Sequence, residues 1–561
     1  MNRLASLAVL ALVPLVGCSN HVVSIGITVV TESCGGAAKP TEGVDTYRAV
    51  ITGSQMEPIT QTFAAGGQVQ FEQIPPGEGR VLALTGYAGD PDNGGTPLAF
   101  GQTVPFTVPD NPDSPVTATV VLRKVNTFAG VPTVEDPSTC AKLTIPRAGH
   151  TATLMNDGRV LIAGGFSLNP GTDSSIDAGG DPRNWAFHDE AEIFDPATNT
   201  SQSVAKMVAF NLSSVGYDSP GAFAAASRLG DGSVMISGGE TYSFGFGARS
   251  NTMTYDPSSN SWYEGIMSAP GFDFPDGGQR TLERSHHIQV TNSDGQVLIA
   301  GGIRYDRSTR QPTLASEPIW IDPATGQFQA VTQKDGSAYS FARANASATL
   351  VLGGSAIAVG GGDLLDGGLA DQPVVFFDLA DDGGWLAYAG GLDSSAADPP
   401  RSHGVIAGLG PEQTLVVLAG GFGSDGSLLT SSGVMDATAA GTQFALAPVA
   451  GRSDGCAVTL PDGRAVVIGG ELAEVPPATS PAVDVYQESF YQLLAPHVSD
   501  AGAKIDDFTP PFSTPALLDS RKWQTCTVLQ DGSVLVTGGV KEEAGKFEVL
   551  DTIELYTPVP L

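Results

Sequence analysis

The stretch RAGHTATLMNDGRVLIAGGF, residues 147–166, contains two apolar strands joined by an Asp-Gly turn and ended by a pair of glycines. Asp-Gly is typical of two-residue hairpin turns, because such turns need positive φ. The second strand is apolar at every position, which is typical of a strand buried on both faces. Glycines at its end tolerate positive φ and have no Cβ to collide with neighbours. The phrase therefore predicts a hairpin packed between neighbouring sheets.

Nearly the same phrase recurs along the chain, and recurrence of this kind indicates a propeller or a solenoid. Each unit continues with a third strand, often ending in Asp-Pro, and a fourth strand with an aromatic residue near its start. Four antiparallel strands in each of seven units predict a seven-bladed β-propeller. The predicted glycine pairs end at Gly165, Gly239, Gly302, Gly361, Gly421, Gly470 and Gly539. The strand-four aromatic residues include Trp262, Phe328, Trp385 and Phe444.

The glycine pairs, the aromatic-Asp-Pro segments and the strand-four aromatic residues resemble the kelch family, which includes the seven-bladed central domain of galactose oxidase. The predicted fold class is all-β: a seven-bladed kelch-type β-propeller over residues 140–561, preceded by a small β-sandwich. The last unit stops after its third strand, TIELYTPVPL. We therefore expect residues 140–146 to supply the missing fourth strand and close the ring, which removes exposed sheet edges.

The N-terminus has an apolar run that is too short to span a membrane and ends in Val16-Gly17-Cys18. The sequence LVGC resembles the lipobox of bacterial lipoproteins. The resemblance implies a signal peptide over residues 1–17 and a lipid on Cys18. It also implies anchoring in the bacterial cell envelope, at the outer membrane, because Ser19 stands where the inner-membrane retention signal has Asp. An ordinary signal peptide with a chance cysteine is the alternative.

Residues 18–125 contain alternating β segments separated by turns, and they predict a small β-sandwich that acts as a spacer. The run FEQIPPGEGRVLALTGYAG resembles prealbumin-like or carboxypeptidase-regulatory-like sandwiches. Residues 126–139 are expected to be a linker. Acidic turns at Asp90 and Asp92 and at Asp110 and Asp113 suggest calcium, but without EF-hand spacing we favour solvated turns.

Four cysteines follow Cys18, and an exported chain is in an oxidising setting where disulfides form. Cys34 and Cys140 flank the first domain and are our preferred pair. Cys456 and Cys526 begin corresponding strands of neighbouring repeats one position out of register. Because side chains one step apart on a strand face opposite ways, free thiols remain open as an alternative there.

The formal net charge of −32 argues against a nucleic-acid partner, because no basic surface is available to neutralise phosphates. The long loops all belong to one end of the predicted propeller, where ligands usually bind. Aromatic residues in these loops, such as Trp185, Tyr242 and Phe244, are candidate ligand contacts. The alternative is that they fold back over the blades.

An arginine precedes the first strand of six of the seven repeats. A circle of such residues at the loop end would attract a carboxylate or a phosphate. The alternative, which we favour, is that each arginine pairs with an acid in the scaffold. The six residues are Arg147, Arg284, Arg343, Arg401, Arg452 and Arg521.

The resemblance to galactose oxidase raises copper chemistry, but the required set of Tyr, His and crosslinked Cys is absent from the sequence, and no other metal or cofactor is predicted. No catalytic set stands out, although Glu190, Glu240 and Glu283 are candidate acids. We therefore expect a membrane-tethered module that binds a protein or carbohydrate. The alternative is a kelch-type carbohydrate-active enzyme, a sugar mutarotase or a hydrolase acting on an anionic sugar.

Overall fold

A computed structural model gives the fold of most of the chain. The described residues are 23–31, 34, 39–67, 70–110, 116–207, 221–241, 247–248, 252–264, 272–273, 279–280, 283–292, 294–306, 309, 311–325, 327–333, 339–365, 368–369, 374–378, 384–385, 401–437, 445–448, 451–474, 477–486 and 515–560. Strands contain 53 % of these residues and helices 3 %, and the strands form many small, mostly antiparallel sheets, which confirms the predicted all-β class at that level.

In the described part of the chain, each glycine-pair repeat forms a meander of three or four antiparallel strands, and we call these the repeat sheets 1 to 7. Sheet 1 contains Thr151–Leu154, Val160–Ala163, Ala191–Asp195 and Thr200–Ser203. Sheet 2 contains Ala225–Arg228, Val234–Ser237, Thr252–Asp256 and Ser261–Glu264. Sheet 3 contains Ile288–Thr291, Val297–Ala300, Ile319–Asp322 and Gln327–Ala330. Sheet 4 contains Ala344–Val351, Ala356–Asp363 and Val374–Asp378. Sheet 5 contains Val405–Leu409, Leu415–Ala419, Ser431–Asp436 and Ala445–Pro448. Sheet 6 contains Cys456–Thr459, Ala465–Ile468 and Val483–Tyr486. Sheet 7 contains Thr525–Val528, Val534–Thr537, Ile553–Thr557 and Thr127–Gly130.

The first strands of the repeat sheets contact one another in chain order, and the first strand of sheet 7 contacts that of sheet 1. The contacts therefore form a closed circle. The second strand of each sheet is largely apolar and buried; Val160–Ala163 and Val534–Thr537 are examples with every residue buried. Apolar side chains of neighbouring sheets share clusters, as Ile162 of sheet 1 and Leu535 of sheet 7 do. Burial on both faces explains why these strands are continuously apolar.

The glycine pair lies at or near the end of each second strand, where the next sheet packs against it. Gly538 and Gly539 have φ of 57° and 97°, in the left-handed region that favours glycine. The Gly539 N–H donates a 2.9 Å hydrogen bond to the Arg147 carbonyl of sheet 1. A Cβ on Gly538 would lie 2.2 Å from the same oxygen. The pair is thus the contact surface between adjacent sheets.

The predicted pair in sheet 4 is one residue too early. Positive φ occurs at Gly361 and Gly362, whereas the prediction placed the pair at residues 360–361. Arg343 Nη1 donates to the Gly361 carbonyl at 3.3 Å, which matches the contact that other arginines make to the first glycine of their own pair. The run GGG hides the register in the sequence, and only the backbone contacts define it.

The strand that completes sheet 7 also differs from the prediction. Thr127–Gly130 pairs antiparallel with Ile553–Thr557, so the closing strand lies in the segment predicted as the 126–139 linker. Of the predicted residues 140–146, Lys142 forms one isolated bridge to Thr552. Phe128 is buried and stacks on Tyr556 with ring centroids 5.1 Å apart, which anchors the strand at this position.

Short hairpins extend the chain beyond the glycine pairs, at the end of the repeat sheets where the second strands finish. Their paired strands are Phe166–Leu168 with Trp185–Phe187, Glu240–Thr241 with Gly247–Ala248, Ile303–Tyr305 with Pro312–Leu314, Glu471–Glu474 with Pro477–Thr479, and Val540–Glu543 with Lys546–Val549. Phe272–Asp273 pairs with Gln279–Arg280, and Thr332–Gln333 pairs in parallel with Gly384–Trp385.

The helical turns of the described chain are short: Pro91–Asn93, Ile176–Gly179, Pro182–Asn184 and Leu352–Gly354. In the part of the chain that the structure describes, no helix has the length and apolar character needed to cross a membrane.

Two further sheets precede the repeats and share one apolar core. Ile51 and Leu84 of one sheet and Phe71 and Val120 of the other are buried in the same cluster. One sheet has the order Gln70–Ile74, Val23–Val30, Val116–Val121. The other has the order Ile59–Ala64, Thr46–Thr52, Gly77–Ala88, Thr96–Gln102, Arg123–Lys124, with Phe106–Val108 also paired to Gly77–Ala88.

Two disulfides join distant parts of the chain. Cys34 is bonded to Cys140 with Cα atoms 5.5 Å apart. Cys456 is bonded to Cys526 with Cα atoms 6.0 Å apart, so the structure pairs these residues of sheets 6 and 7 rather than leaving free thiols. Direct contact between the first strands of the two sheets brings the cysteines together despite their difference in register.

Candidate functional site

The six arginines lie inside the repeat sheets, with exposed fractions of 7 % or less. Arg147 Nη1 donates to the Gly164 carbonyl at 2.7 Å, and its Nη2 lies 2.8 Å from Glu192 Oε1, which is also buried. Arg452 and Arg521 pair with Asp484 and Glu554 in the same way. This is the arrangement expected if the arginines serve the scaffold. Arg284, Arg343, Arg401 and Arg521 likewise donate to the first glycine of their own pair.

The loop aromatic residue Trp185 also faces inward. It is 8 % exposed, stacks on Phe166 with ring centroids 3.7 Å apart, and donates its indole N–H to the Gly179 carbonyl at 2.7 Å. Trp185 therefore folds back over sheet 1. The other predicted residues Cys18, Tyr242 and Phe244 lie outside the described residues.

A pocket of about 440 Å³ lies where the first strands of all seven repeat sheets begin, and we call it the central pocket. Each sheet contributes the residue two positions after its arginine, or after Gly221 in sheet 2. We call these the ring residues, and all seven are half-buried and line the pocket. In sheet order they are Gly149, Phe223, His286, Asn345, His403, Asp454 and Trp523.

The ring residues share one backbone conformation, with φ between 52° and 59°. Hydrogen bonds between neighbours explain this strained geometry: the N–H of each ring residue except His403 donates to the carbonyl of the preceding one, as in Phe223 to Gly149 at 2.8 Å and His286 to Phe223 at 3.0 Å. Six such bonds link the described ring residues. Between Asn345 and His403, Asp363 makes the link instead by contacting both side chains.

One side of the pocket is aromatic. The rings of Phe223 and His286 stack with centroids 4.3 Å apart. Trp523 meets Phe223 edge to face at 5.5 Å. Gly149 lies between Trp523 and Phe223 in the ring and contributes no side chain. This arc therefore offers aromatic surface to a ligand.

The opposite side is polar and charged. His403 Nδ1 lies 2.7 Å from Asp454 Oδ1, and its Nε2 lies 3.2 Å from Asp363 Oδ2. Burial opposes protonation of His403, but the two carboxylates outweigh it and raise its pKa to about 10. Although burial favours their neutral forms, both carboxyl groups have lowered pKa values because His403 faces them. The cluster is therefore one imidazolium held between two carboxylates.

A third acid, Glu240, lies beside the aromatic side. Glu240 is 4 % exposed and accepts a 2.9 Å hydrogen bond from Ser285 Oγ. Its Oε2 lies 3.6 Å from His286 Nε2. Burial raises the pKa of Glu240, and the opposing contacts with His286, Ser285 and Tyr305 lower it overall. Of the three candidate acids, Glu240 is the one beside the pocket; Glu190 is paired with Lys206 at 2.7 Å.

The ring residues were missed at the sequence level, although a signal exists. Aligned on the arginine, the third residue is Gly, Asn or Asp in three repeats, and these are the residue types that most readily adopt positive φ.

The acidic turn at Asp90, considered above as a calcium site, caps its own 3-10 turn: the Asp90 side chain accepts a hydrogen bond from the Asp92 N–H. Among the described residues, no group of three or more His, Cys, Asp or Glu side chains is arranged to hold a metal ion.

Comparison with known proteins adds a likeness of structure at low similarity. No protein-family model matches the chain, and no curated protein matches it. Among solved structures, 287 chains match. One of them, titled "Structure of YjhT", has 14 % sequence identity to this chain and a TM-score of 0.38. The match covers 74 % of this chain and 96 % of that chain. The function is therefore argued from the residues of the central pocket.

Proposed function

We propose that the chain is a seven-bladed kelch-type β-propeller carried on a small β-sandwich, and that it acts as a binding module of the bacterial cell envelope. The central pocket is its ligand site, and the ligand is a carbohydrate or part of a protein. The closed circle of first-strand contacts supports the propeller. The shared core of the two N-terminal sheets supports the sandwich.

The observation that carries the binding role is the contrast between backbone and side chain at the ring residues. The backbone conformation is the same in all seven positions, and glycine would adopt it without strain. Bulky residues at positive φ cost of order 1–3 kcal/mol each. Phe223, His286, His403 and Trp523 occupy such positions nonetheless, and all four line the pocket. Phe223 and Trp523 are also held by packing against the stacked Phe166 and Trp185, so they form a fixed aromatic lining, and we propose that this lining receives the ligand.

The enzymatic alternative on an anionic sugar requires an arginine exposed in the pocket. The six repeated arginines are buried with partners of their own, and acidic groups lie at the pocket instead. We therefore propose binding rather than this reaction.

Asn345→Trp tests the pocket as the ligand site. Trp523 already occupies the equivalent position with a φ of 55°, close to the 53° of Asn345, so the backbone accepts tryptophan there. The new ring would fill the pocket, and we expect binding on an array of glycans and envelope peptides to fall at least about tenfold. Asn345→Gly is the control, because it loses the 2.9 Å bond to Asp363 but leaves the pocket open. Equal binding by the tryptophan variant and the wild type would contradict the proposal.

Cys18→Ala tests the tether. A lipid on Cys18 supplies membrane affinity of about 0.8 kcal/mol for each buried methylene, so the variant should leave the membrane fraction. The measurement is cell fractionation with metabolic labelling by a fatty acid. A variant that stays in the membrane, or an unlabelled wild type, would refute lipid anchoring.

A further inference from the structure

The charges at the central pocket are unevenly balanced. On the polar side, one imidazolium of His403 faces the carboxylates of Asp454 and Asp363, which leaves one negative charge in excess. Asp363 and Glu240 are not lining residues: Asp363 lies behind His403, and Glu240 lies behind His286, with its Oε2 3.6 Å from His286 Nε2. His150 and His287 also line the pocket, but burial holds their pKa values well below the ordinary range, so both are neutral at pH 7.

The nearby cations have partners among the acids of the scaffold. Lys522 Nζ lies 2.6 Å from Glu471 and 3.0 Å from Glu542. The buried arginines are engaged within their sheets, as described above. The described surroundings of the pocket therefore favour a positively charged ligand, and the net charge of −32 on the whole chain acts in the same direction.

The aromatic side suits the same kind of ligand. Aromatic faces attract ammonium groups through the ring quadrupole, most strongly for tryptophan. Trp523 already holds one such contact, with Lys522 Nζ 4.6 Å from its ring centroid. Phe223 and the stacked His286 extend the surface from Trp523 past Gly149. Carboxylates opposite aromatic rings form a setting that can hold a cation with apolar substituents.

We propose that the central pocket binds a small organic cation: an ammonium group with apolar substituents, seated between Trp523, Phe223 and His286 on one side and Asp454 on the other. The inference rests on the proposed function and adds the charge and chemical class of the ligand. The volume of about 440 Å³ is in the range of small-molecule sites.

The experiment is isothermal titration of the full chain with choline and with 3,3-dimethylbutan-1-ol, which has the same shape but no charge. We expect choline to bind at least about tenfold more tightly, because only choline gains from the carboxylates and the aromatic faces. Binding of choline should weaken as salt is added, since salt screens the attraction.

Two variants locate the site. Asp454→Asn keeps the shape but removes one carboxylate, and Trp523→Leu removes the main aromatic face. Each should weaken choline binding at least about tenfold. Asp177→Asn is the matched control, because Asp177 is exposed on the short helix Ile176–Gly179 and does not line the pocket. Circular dichroism and thermal unfolding confirm that each variant is folded.

The outcomes separate this inference from the proposed function. Pocket-dependent binding of a neutral or anionic glycan, abolished by Asn345→Trp but without choline binding, would overturn the cation proposal and leave the binding role intact. Choline binding that is equal in the wild type, Asp454→Asn and Trp523→Leu would also overturn it. No binding of any ligand that depends on the pocket would overturn both.

Discussion

At the scale of single residues, the glycine pair and the arginine form one reciprocal contact. The arginine side chain donates to the carbonyl of its own first glycine, as Arg521 Nη1 does to Gly538 at 2.9 Å. The second glycine N–H donates to the carbonyl at the arginine position of the next sheet. A residue repeated for this purpose is needed by the scaffold, which is why the arginines are buried.

Gly538→Ala should destabilise the protein by about 2 kcal/mol or more. The added Cβ would lie 2.2 Å from the Arg147 carbonyl oxygen, and φ at this position is +57°. Gly171→Ala is the control, with φ of +84° and no atom within 4 Å of the added Cβ. It should cost only about 1 kcal/mol, for the backbone alone. Urea unfolding measures both; equal losses would contradict the close approach.

The pH dependence of stability tests the His403 cluster. The pKa of His403 is about 10 in the folded chain against an ordinary value of 6.5. Because the folded value is raised, the stabilisation is fully present below pH 6.5 and is lost as the pH rises to about 10. His403→Gln should therefore show a shallower loss of stability over this window. Parallel curves of urea midpoint against pH for variant and wild type would show that the cluster does not act this way.

The chemistry of the pocket could be predicted only in part from single residues. The repeat phrase places the arginines and glycines, because their spacing to the strands is nearly constant. The ring residues vary in type, so no motif marks them. Their common feature is a backbone conformation set by bonds between sheets, such as Asn345 N–H to the His286 carbonyl at 3.1 Å, and such bonds are not visible in one sequence.

At the scale of elements, the closing strand shows how a short segment escapes prediction. Thr127–Gly130 has four residues and ends in glycine, which weakens its strand signal. The rule of an aromatic residue near the start of strand four does fit Phe128, whereas CAKLTIP has none. Sequence reasoning therefore identified the N-terminal side as the source of the strand but placed it at residues 140–146.

The disulfide Cys34–Cys140 holds this strand in place. The backbone of Cys34 pairs with Gly130 in an isolated β-bridge, and the backbone of Cys140 pairs with Pro132 in another. The disulfide therefore lies across the end of the closing strand. Cys34→Ala with Cys140→Ala opens a covalent link across 106 residues and should lower the free energy of unfolding by about 3–5 kcal/mol. Limited proteolysis should then cut near residues 127–146.

The second disulfide supplies the control for that prediction. Cys456→Ala with Cys526→Ala removes a link between sheets 6 and 7, at the opposite edge of sheet 7 from the closing strand. It should lower stability without exposing residues 127–146 to protease. If both double variants are cut equally in that segment, the role of Cys34–Cys140 as a latch is wrong.

At the scale of the whole molecule, the repeat sheets and the two N-terminal sheets meet directly. Arg123 Nε donates a 3.0 Å hydrogen bond to Thr557 Oγ1, and Arg123 also pairs with Asp531 of sheet 7. The N-terminal segment thus supports the sheet that its own strand completes. The all-β class and the repeats can be predicted from the amino-acid composition and the recurring glycine-pair phrase. This junction cannot, because it depends on contacts between residues more than 400 positions apart.

The most direct test of the account is an experimental structure of the full chain crystallised with choline. We predict seven sheets in a closed circle, with the last completed by Thr127–Gly130, and the ammonium group between Trp523 and Asp454. Six or eight sheets, an open array, or choline bound away from the ring residues would contradict the central claim that the circle of sheets forms the ligand site.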